Sequence, residues 1–301
     1  MNYLNLPVGV SNFEKLRSEG YYYVDKTGLI ADILHTKAEV MLITRPRRFG
    51  KTLGMSMLEA FFDIRKDHRA LFEGLEIASL PALCAAWMNR YPTVFITLRQ
   101  VEGLNFQDAY GQLLYEIALL YQEHAYVLDG ASMSEPEKQL YRRLMNREAD
   151  RTDVLRSIEF LTQVLHKHYG RKVILLMDEY DVPVAKANTN GYYQEMLDVM
   201  KGLMRAVKDN ASLQFAIITG CLKIAKESIF TGTNNFVSDS ILHARLGEYF
   251  GFLQEEVDRI LQDANVSDRA DRVKSWYDGY HFGDSDVYCP WDVMNYMLEL
   301  Q

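Results

Sequence analysis

Residues 41–62 read MLITRPRRFGKTLGMSMLEAFF, and this stretch decides the fold. Met41 to Thr44 is an apolar run of strand length, and from Leu53 onward the apolar positions recur at helical spacing. Between them lies a turn that carries Gly50, Lys51 and Thr52. Strand, turn and helix in that order are the context the GxxxxGK(S/T) phosphate loop requires. In such a loop, backbone N–H groups and the dipole of the helix N-terminus face phosphate oxygens. The candidate nucleotide-binding set is therefore Arg45, Pro46, Arg47, Arg48, Phe49, Gly50, Lys51, Thr52 and Leu53. Lys51 is expected to reach the β- and γ-phosphates and the Thr52 hydroxyl to ligate magnesium. The first glycine of the pattern is replaced by Arg45, with Pro46 after it, so the chain enters the turn differently. Arginine forks bind phosphate oxygens and offer a substitute. Taken alone, GKT reads equally well as a surface turn opening a helix.

A second motif shifts that balance. Residues 172–181, KVILLMDEYD, are an aliphatic run closed by Asp178 and Glu179. Two carboxylates thus stand at the C-terminal mouth of a buried strand, the edge at which open α/β sheets bind ligands. Asp178 is expected to hold magnesium through its water shell, and Glu179 to polarise the water that attacks the γ-phosphate. A third candidate closes the run FAIITG. Thr219 is placed to sense the γ-phosphate from a strand between the first and third, although a Thr ending a buried strand is as often structural.

Farther out, short buried runs alternate with helical segments, which predicts an α/β class with a parallel sheet covered by helices. The expected strands are residues 40–44, 93–98, 173–177 and 213–219. The expected helices are residues 53–64, 106–123, 135–146, 154–168, 192–208 and 255–263. After about residue 245 the strand rhythm stops, which divides the chain into a domain over 1–245 and a smaller, mostly helical unit over 246–301. The latter includes the turn-rich segment WYDGYHFGDSDVYCPW and a last helix from Trp291.

Composition excludes several classes. At 301 residues and 48% hydrophobic, the chain has material for a large core, yet its apolar runs fall far below the roughly 18 residues of a membrane span. The N-terminus has no basic stretch followed by an apolar core, so no secretory signal is expected and the cytoplasm is the default compartment. Cys84, Cys221 and Cys289 are too scattered for a disulfide framework or a metal site, and read as buried or incidental thiols. A net charge of −8 argues against nucleic acid as a partner. The one dense basic cluster, Arg45, Arg47, Arg48 and Lys51, lies inside the phosphate loop.

In their order along the chain, LPVGVSNFEKL, YYYVDKTGLI, TRPRRFGKTL, VILLMDEYD, ITGCLKIAKESIF followed by TNNF, EYFGFLQEEV, and WYDGYHF with VYCPWDV resemble the AAA-ATPase-like proteins of bacteria and archaea. The resemblance covers nearly the whole chain. It implies a P-loop NTPase fold with ATP and Mg2+ as ligands, and RPRRFGKT as the usual form of the loop in this family. It also implies that the segment 1–37 packs near the nucleotide, with an aromatic such as Tyr23 near the base. Read from the residues alone, YYYVDKT is a packed tyrosine cluster with Asp25 or Thr27 capping the next helix. Lys223 stands where the family carries an Arg, a position that contacts the γ-phosphate, and a lysine lacks the planar fork. Longer relatives carry a C-terminal region resembling PD-(D/E)xK nucleases. The sequence ends before such a region, so nuclease activity is not expected of it.

Three functions are consistent with these readings. The first is an ATPase whose nucleotide state moves a C-terminal lid or a protein partner. The second is a non-hydrolysing nucleotide-dependent switch or adaptor. The third, by analogy with the nuclease-bearing relatives, is a nucleic-acid-associated ATPase of a defence or mobile-element system. An arginine donated by a neighbouring subunit is a further possibility for the first, with Arg205 and Arg245 among the candidates.

Overall fold

A computed structural model describes residues 3–130, 132–224, 229–230 and 235–301. Parts of the ITGCLKIAKESIF and TNNF segments lie outside the described residues. The sheet comprises β1 (Val40–Thr44), β2 (Thr93–Thr97), β3 (Val173–Asp178), β4 (Leu213–Gly220) and β5 (Phe236–Asp239). All neighbours pair in parallel, in the order β2-β3-β4-β1-β5. Thr219 therefore does lie on a strand between the first and third.

Alternation along each strand sends side chains to opposite faces, and two cores result. Val40, Leu42, Leu175, Met177, Ala216 and Ile218 join one buried cluster. Met41, Ile43, Ile174, Leu176, Phe215 and Ile217 join the other. Helices cover both faces, so β1 and β3 are buried along their whole length.

Four strands were expected, and β5 is the addition. Its sequence, FVSD, is short and half polar, so it has no buried-strand signature, but as an edge strand it needs only β1 on one side. The segment expected to be one helix from Val154 divides into Arg151–Leu155 and Ser157–Tyr169, the first capped by Asp150, whose carboxylate accepts from the Asp153 N–H. The helix Tyr193–Leu203 ends earlier than expected and tightens into a 3-10 turn, Met204–Val207.

Beyond β5, helices Gln254–Asp263, Ala270–Tyr277 and Pro290–Leu300 surround an antiparallel hairpin of β6 (Asp278–Phe282) and β7 (Ser285–Tyr288). The turn-rich aromatic segment is thus largely a hairpin, turned at Gly283, whose φ of 59° suits glycine. Val257, Ile260, Val273, Val293 and Met297 form a third cluster, which Leu6 of the N-terminal segment enters. The same segment is held there by Tyr22 donating to Asp263 at 2.7 Å and by the Lys26–Glu256 ion pair at 2.6 Å. Among the described residues no helix is long and apolar enough to cross a membrane.

Candidate functional site

β1 delivers the chain to the loop, where the Arg45 N–H still bonds to the Gly220 carbonyl and extends the ladder by one residue. The loop then needs two left-handed residues. Gly50, at φ 82°, opens the helix Lys51–Phe62 and takes that conformation freely. Arg48, at φ 71°, takes it at a cost of about 1–2 kcal/mol. The helix begins two residues before the expected Leu53, so Lys51 and Thr52 both sit in its first turn.

Thr52 and Thr219 converge on one carboxylate. Thr52 Oγ1 donates to Asp178 Oδ2 at 2.8 Å, and Thr219 Oγ1 donates to Asp178 Oδ1. Beside them the buried Lys51 ammonium donates to the Pro46 carbonyl at 3.0 Å. It also lies 3.3 Å from Cys221 Sγ and 3.6 Å from Glu179 Oε1. Glu179 itself has φ 55°, a left-handed backbone in a residue with no preference for it, which is the kind of strain found at functional sites.

Burial pushes the Asp178 carboxyl above its ordinary value, and this outweighs the lowering by Thr219 and Thr52. A raised carboxylate pKa means the folded state holds its proton more tightly than the unfolded state. Stability from this group is therefore lost as pH rises between the unfolded and folded values, and the deficit remains at neutral pH. Asp178→Asn removes that charge while its carboxamide still accepts from one Thr and donates to the other, whose hydroxyl rotates to suit. Thermal melts of the ligand-free protein are expected to give the variant a Tm at or above wild type at pH 7. The gap should close as pH falls through the folded Asp178 value. A variant that melts well below wild type at pH 7 would count against this account.

A cavity of about 640 Å³ opens over these groups. Its walls include Arg47, Arg48, Phe49, Gly50, Lys51, Thr52 and Leu53 from the loop and helix, Glu179 from the end of β3, and Tyr23 from the N-terminal segment. Tyr23 is also packed, its ring edge against Phe13 at 5.5 Å and its hydroxyl within 3.5 Å of the Met57 sulfur. Asp25 rather than Thr27 supplies the polar caps nearby. It accepts from the Thr27 N–H at 2.8 Å and from the Glu76 N–H at 2.6 Å, whereas Thr27 makes no side-chain cap on its own helix and its hydroxyl accepts from the Ile77 N–H at 3.1 Å.

Arg45 departs from its expected role. Its side chain is fully buried, donates to Asp239 Oδ1 at 2.5 Å, and lies between the rings of Phe250 and Phe282 at 5.1 and 5.6 Å. The guanidinium is therefore a structural cation behind the loop, not a phosphate ligand, because a carboxylate and two aromatic faces already surround it. Pro46 contributes its carbonyl to Lys51 and does not line the cavity. Asp178 and Thr219 lie beneath the lining and connect to it through Thr52. Lys223 is exposed and off the cavity wall. Asp181 explains why, since it accepts from the Cys221 and Leu222 N–H groups and turns the chain after β4, placing Cys221 beside Lys51 instead.

The loop also meets residues beyond β5, and Trp291 lines the same cavity. Phe49 packs on Tyr280 and Phe282 with ring centroids 4.8 and 5.0 Å apart, and the Arg48 guanidinium lies 4.9 Å over the Trp291 ring. Cys221, Arg99, Lys186 and Trp291 are contributors that sequence reading missed. Arg99 had one available signal, since it lies two residues past the end of β2 on the ligand-binding edge.

Sheet, loop and acidic strand end together define a P-loop NTPase-like α/β protein. The family model described as Predicted AAA-ATPase matches residues 7–230, and the chain belongs to that AAA-ATPase-like family, with the nucleotide binding this implies. A protein of Azotobacter chroococcum mcd 1, described as "Uncharacterized protein in vnfD 5'region", is 29% identical over 297 residues, 98% of this chain and 52% of its own length. The chain thus spans about half the length of the curated relative it matches.

Proposed function

We propose that the chain binds ATP with magnesium in the 640 Å³ cavity and hydrolyses it to ADP and phosphate. The observation that carries this reading is the convergence of Lys51, Thr52, Asp178 and Glu179 at one strand mouth, linked by the 2.8 Å and 3.6 Å contacts. The donor set fits a hard cation, since Thr52 and Asp178 offer oxygen only. Among the described residues there is no cluster of three or more His, Cys, Asp or Glu able to hold a metal. That favours an ion which keeps its waters and takes further ligands from phosphate, as magnesium does. Magnesium bound there supplies charge neutralisation at the phosphate oxygens.

Lys51 is shared among Pro46, Cys221 and Glu179. Phosphate oxygens compete for its ammonium and draw it from Glu179, whose carboxylate is then available to accept a proton from water. The water oxygen bonds to the γ-phosphorus, the bond to the β–γ bridging oxygen breaks, and that oxygen leaves with ADP. Arg47, exposed on the cavity rim, is read as a phosphate contact that helps hold the substrate.

Steady-state phosphate release from the chain with magnesium and ATP is expected to be abolished by Lys51→Ala, since the P-loop lysine positions the phosphates. Turnover that survives Lys51→Ala would overturn the assignment. Tight ATP binding without turnover in wild type would leave the non-hydrolysing switch as the function.

The C-terminal unit is proposed to act as a lid. The support is the seating of Arg48 and Phe49 on Trp291, Tyr280 and Phe282, which makes any phosphate-driven movement of the loop a movement at that interface. Hydrogen exchange over residues 280–295 is expected to differ between a non-hydrolysable ATP analogue and ADP, and Phe49→Ala should erase the difference. Equal exchange in both nucleotides would remove the lid role.

A further inference from the structure

We propose, resting on the ATPase reading above, that Arg99 is the guanidinium that recognises the terminal phosphate and stabilises its charge during hydrolysis. Parallel pairing sets Thr97 opposite Asp178, and the Leu98 N–H bonds to the Asp178 carbonyl at 2.9 Å. The next residue, Arg99, therefore stands beside Glu179 at the same sheet edge. It lies on the β2 side, whereas Lys51 approaches Glu179 from the β4 side, where it also meets Cys221. Both cations line the same cavity as Glu179.

Availability distinguishes Arg99 from its neighbours. Glu102, its nearest acidic neighbour in sequence, is taken by Lys186 at 2.5 Å, one turn into the helix Val182–Asn190. Arg45 is consumed by Asp239, and the Arg48 guanidinium is stacked 4.9 Å over Trp291. The Arg99 side chain is exposed and engages no carboxylate or ring among the described residues. An arginine without a partner on the wall of an anion site is a fork waiting for oxygens.

Its place also says which phosphate it meets. Glu179 must stand at the phosphate that water attacks, and Arg99 is next to Glu179 rather than next to the loop. In the hydrolytic step the bond from the γ-phosphorus to the bridging oxygen lengthens, negative charge grows on the leaving oxygen, and a guanidinium that closes on the terminal phosphate lowers the barrier. Arg47 differs by its place on the loop itself, which meets the inner phosphates shared by ATP and ADP.

The test is displacement of a fluorescent ADP analogue by ADP and by the β–γ imido analogue of ATP, combined with single-turnover hydrolysis. Arg99→Ala is expected to lower the triphosphate-over-diphosphate preference by roughly ten- to a hundredfold, the scale of one hydrogen bond to a charged group. The same variant should slow hydrolysis by about a hundredfold or more, with ADP affinity retained. Arg99→Lys should recover part of both, and Arg47→Ala should weaken both nucleotides alike. An unchanged preference in Arg99→Ala, or equal loss of ADP and the imido analogue, overturns the inference. Wild-type protein that binds neither nucleotide overturns the parent reading. Wild type that binds without turnover leaves the preference ratio to decide for Arg99 alone.

Discussion

Glu179→Gln is expected to reduce phosphate release by roughly two to four orders of magnitude, the range for removing a positioned general base. ATP affinity should be equal to or tighter than wild type, because the substitution removes a negative charge 3.6 Å from Lys51 without removing a phosphate ligand. The glutamine keeps the same length and the same left-handed backbone, with φ 55° in the parent, so folding is not the variable tested. Single-turnover hydrolysis beside equilibrium nucleotide binding separates the two effects. A variant that hydrolyses within a few-fold of wild type would assign the water to another group. Loss of binding and turnover together would make Glu179 a structural partner of Lys51.

The second large effect concerns stability. Asp239→Ala leaves the Arg45 guanidinium buried among Phe250, Phe282 and backbone carbonyls with its charge uncompensated. Breaking a buried pair from one side costs about 3–5 kcal/mol, measurable as a shift of the urea midpoint at unchanged slope. Arg245 approaches the same carboxylate at 3.7 Å and is a second cation, so it offers Arg45 no compensating charge once Asp239 is gone. Replacing both partners with apolar residues, Arg45→Met with Asp239→Leu, should recover most of the loss. Because Arg45 faces away from the cavity, the double variant is expected to bind ATP within about threefold of wild type, under 1 kcal/mol. A loss of less than about 1 kcal/mol in Asp239→Ala would show the pair to be dispensable, and a large loss of ATP affinity in the folded double variant would return Arg45 to the phosphates.

The sequence showed the sheet most clearly where burial on both faces left continuous apolar runs, as in VILLMD and FAIITG. It hid β5, because an edge strand needs so little hydrophobicity. The motif residues Lys51, Thr52, Asp178 and Glu179 were legible because strand and helix fix where GKT and DE must lie. Arg45 was misread for a physical reason. An arginine in a phosphate loop looks like a ligand until a carboxylate 194 positions away is seen to take it. Likewise nothing in WYDGYHF announces that its aromatics grip Phe49, and a solitary Cys221 carries no sign that the turn imposed by Asp181 will bring it to Lys51.

The RPRRF stretch is written in two scripts at once. Read from the cavity it addresses anions and stacks on Trp291, and read from behind it is a plug cut to fit aromatic sockets supplied by Phe250 and Phe282. A glycine-rich loop grafted from another nucleotide-binding protein would preserve the first text and erase the second. Positions 45, 48 and 49 are therefore bound to drift in step with 239, 250, 282 and 291, and chimeras that exchange the loop should tolerate the exchange only when the sockets travel with it.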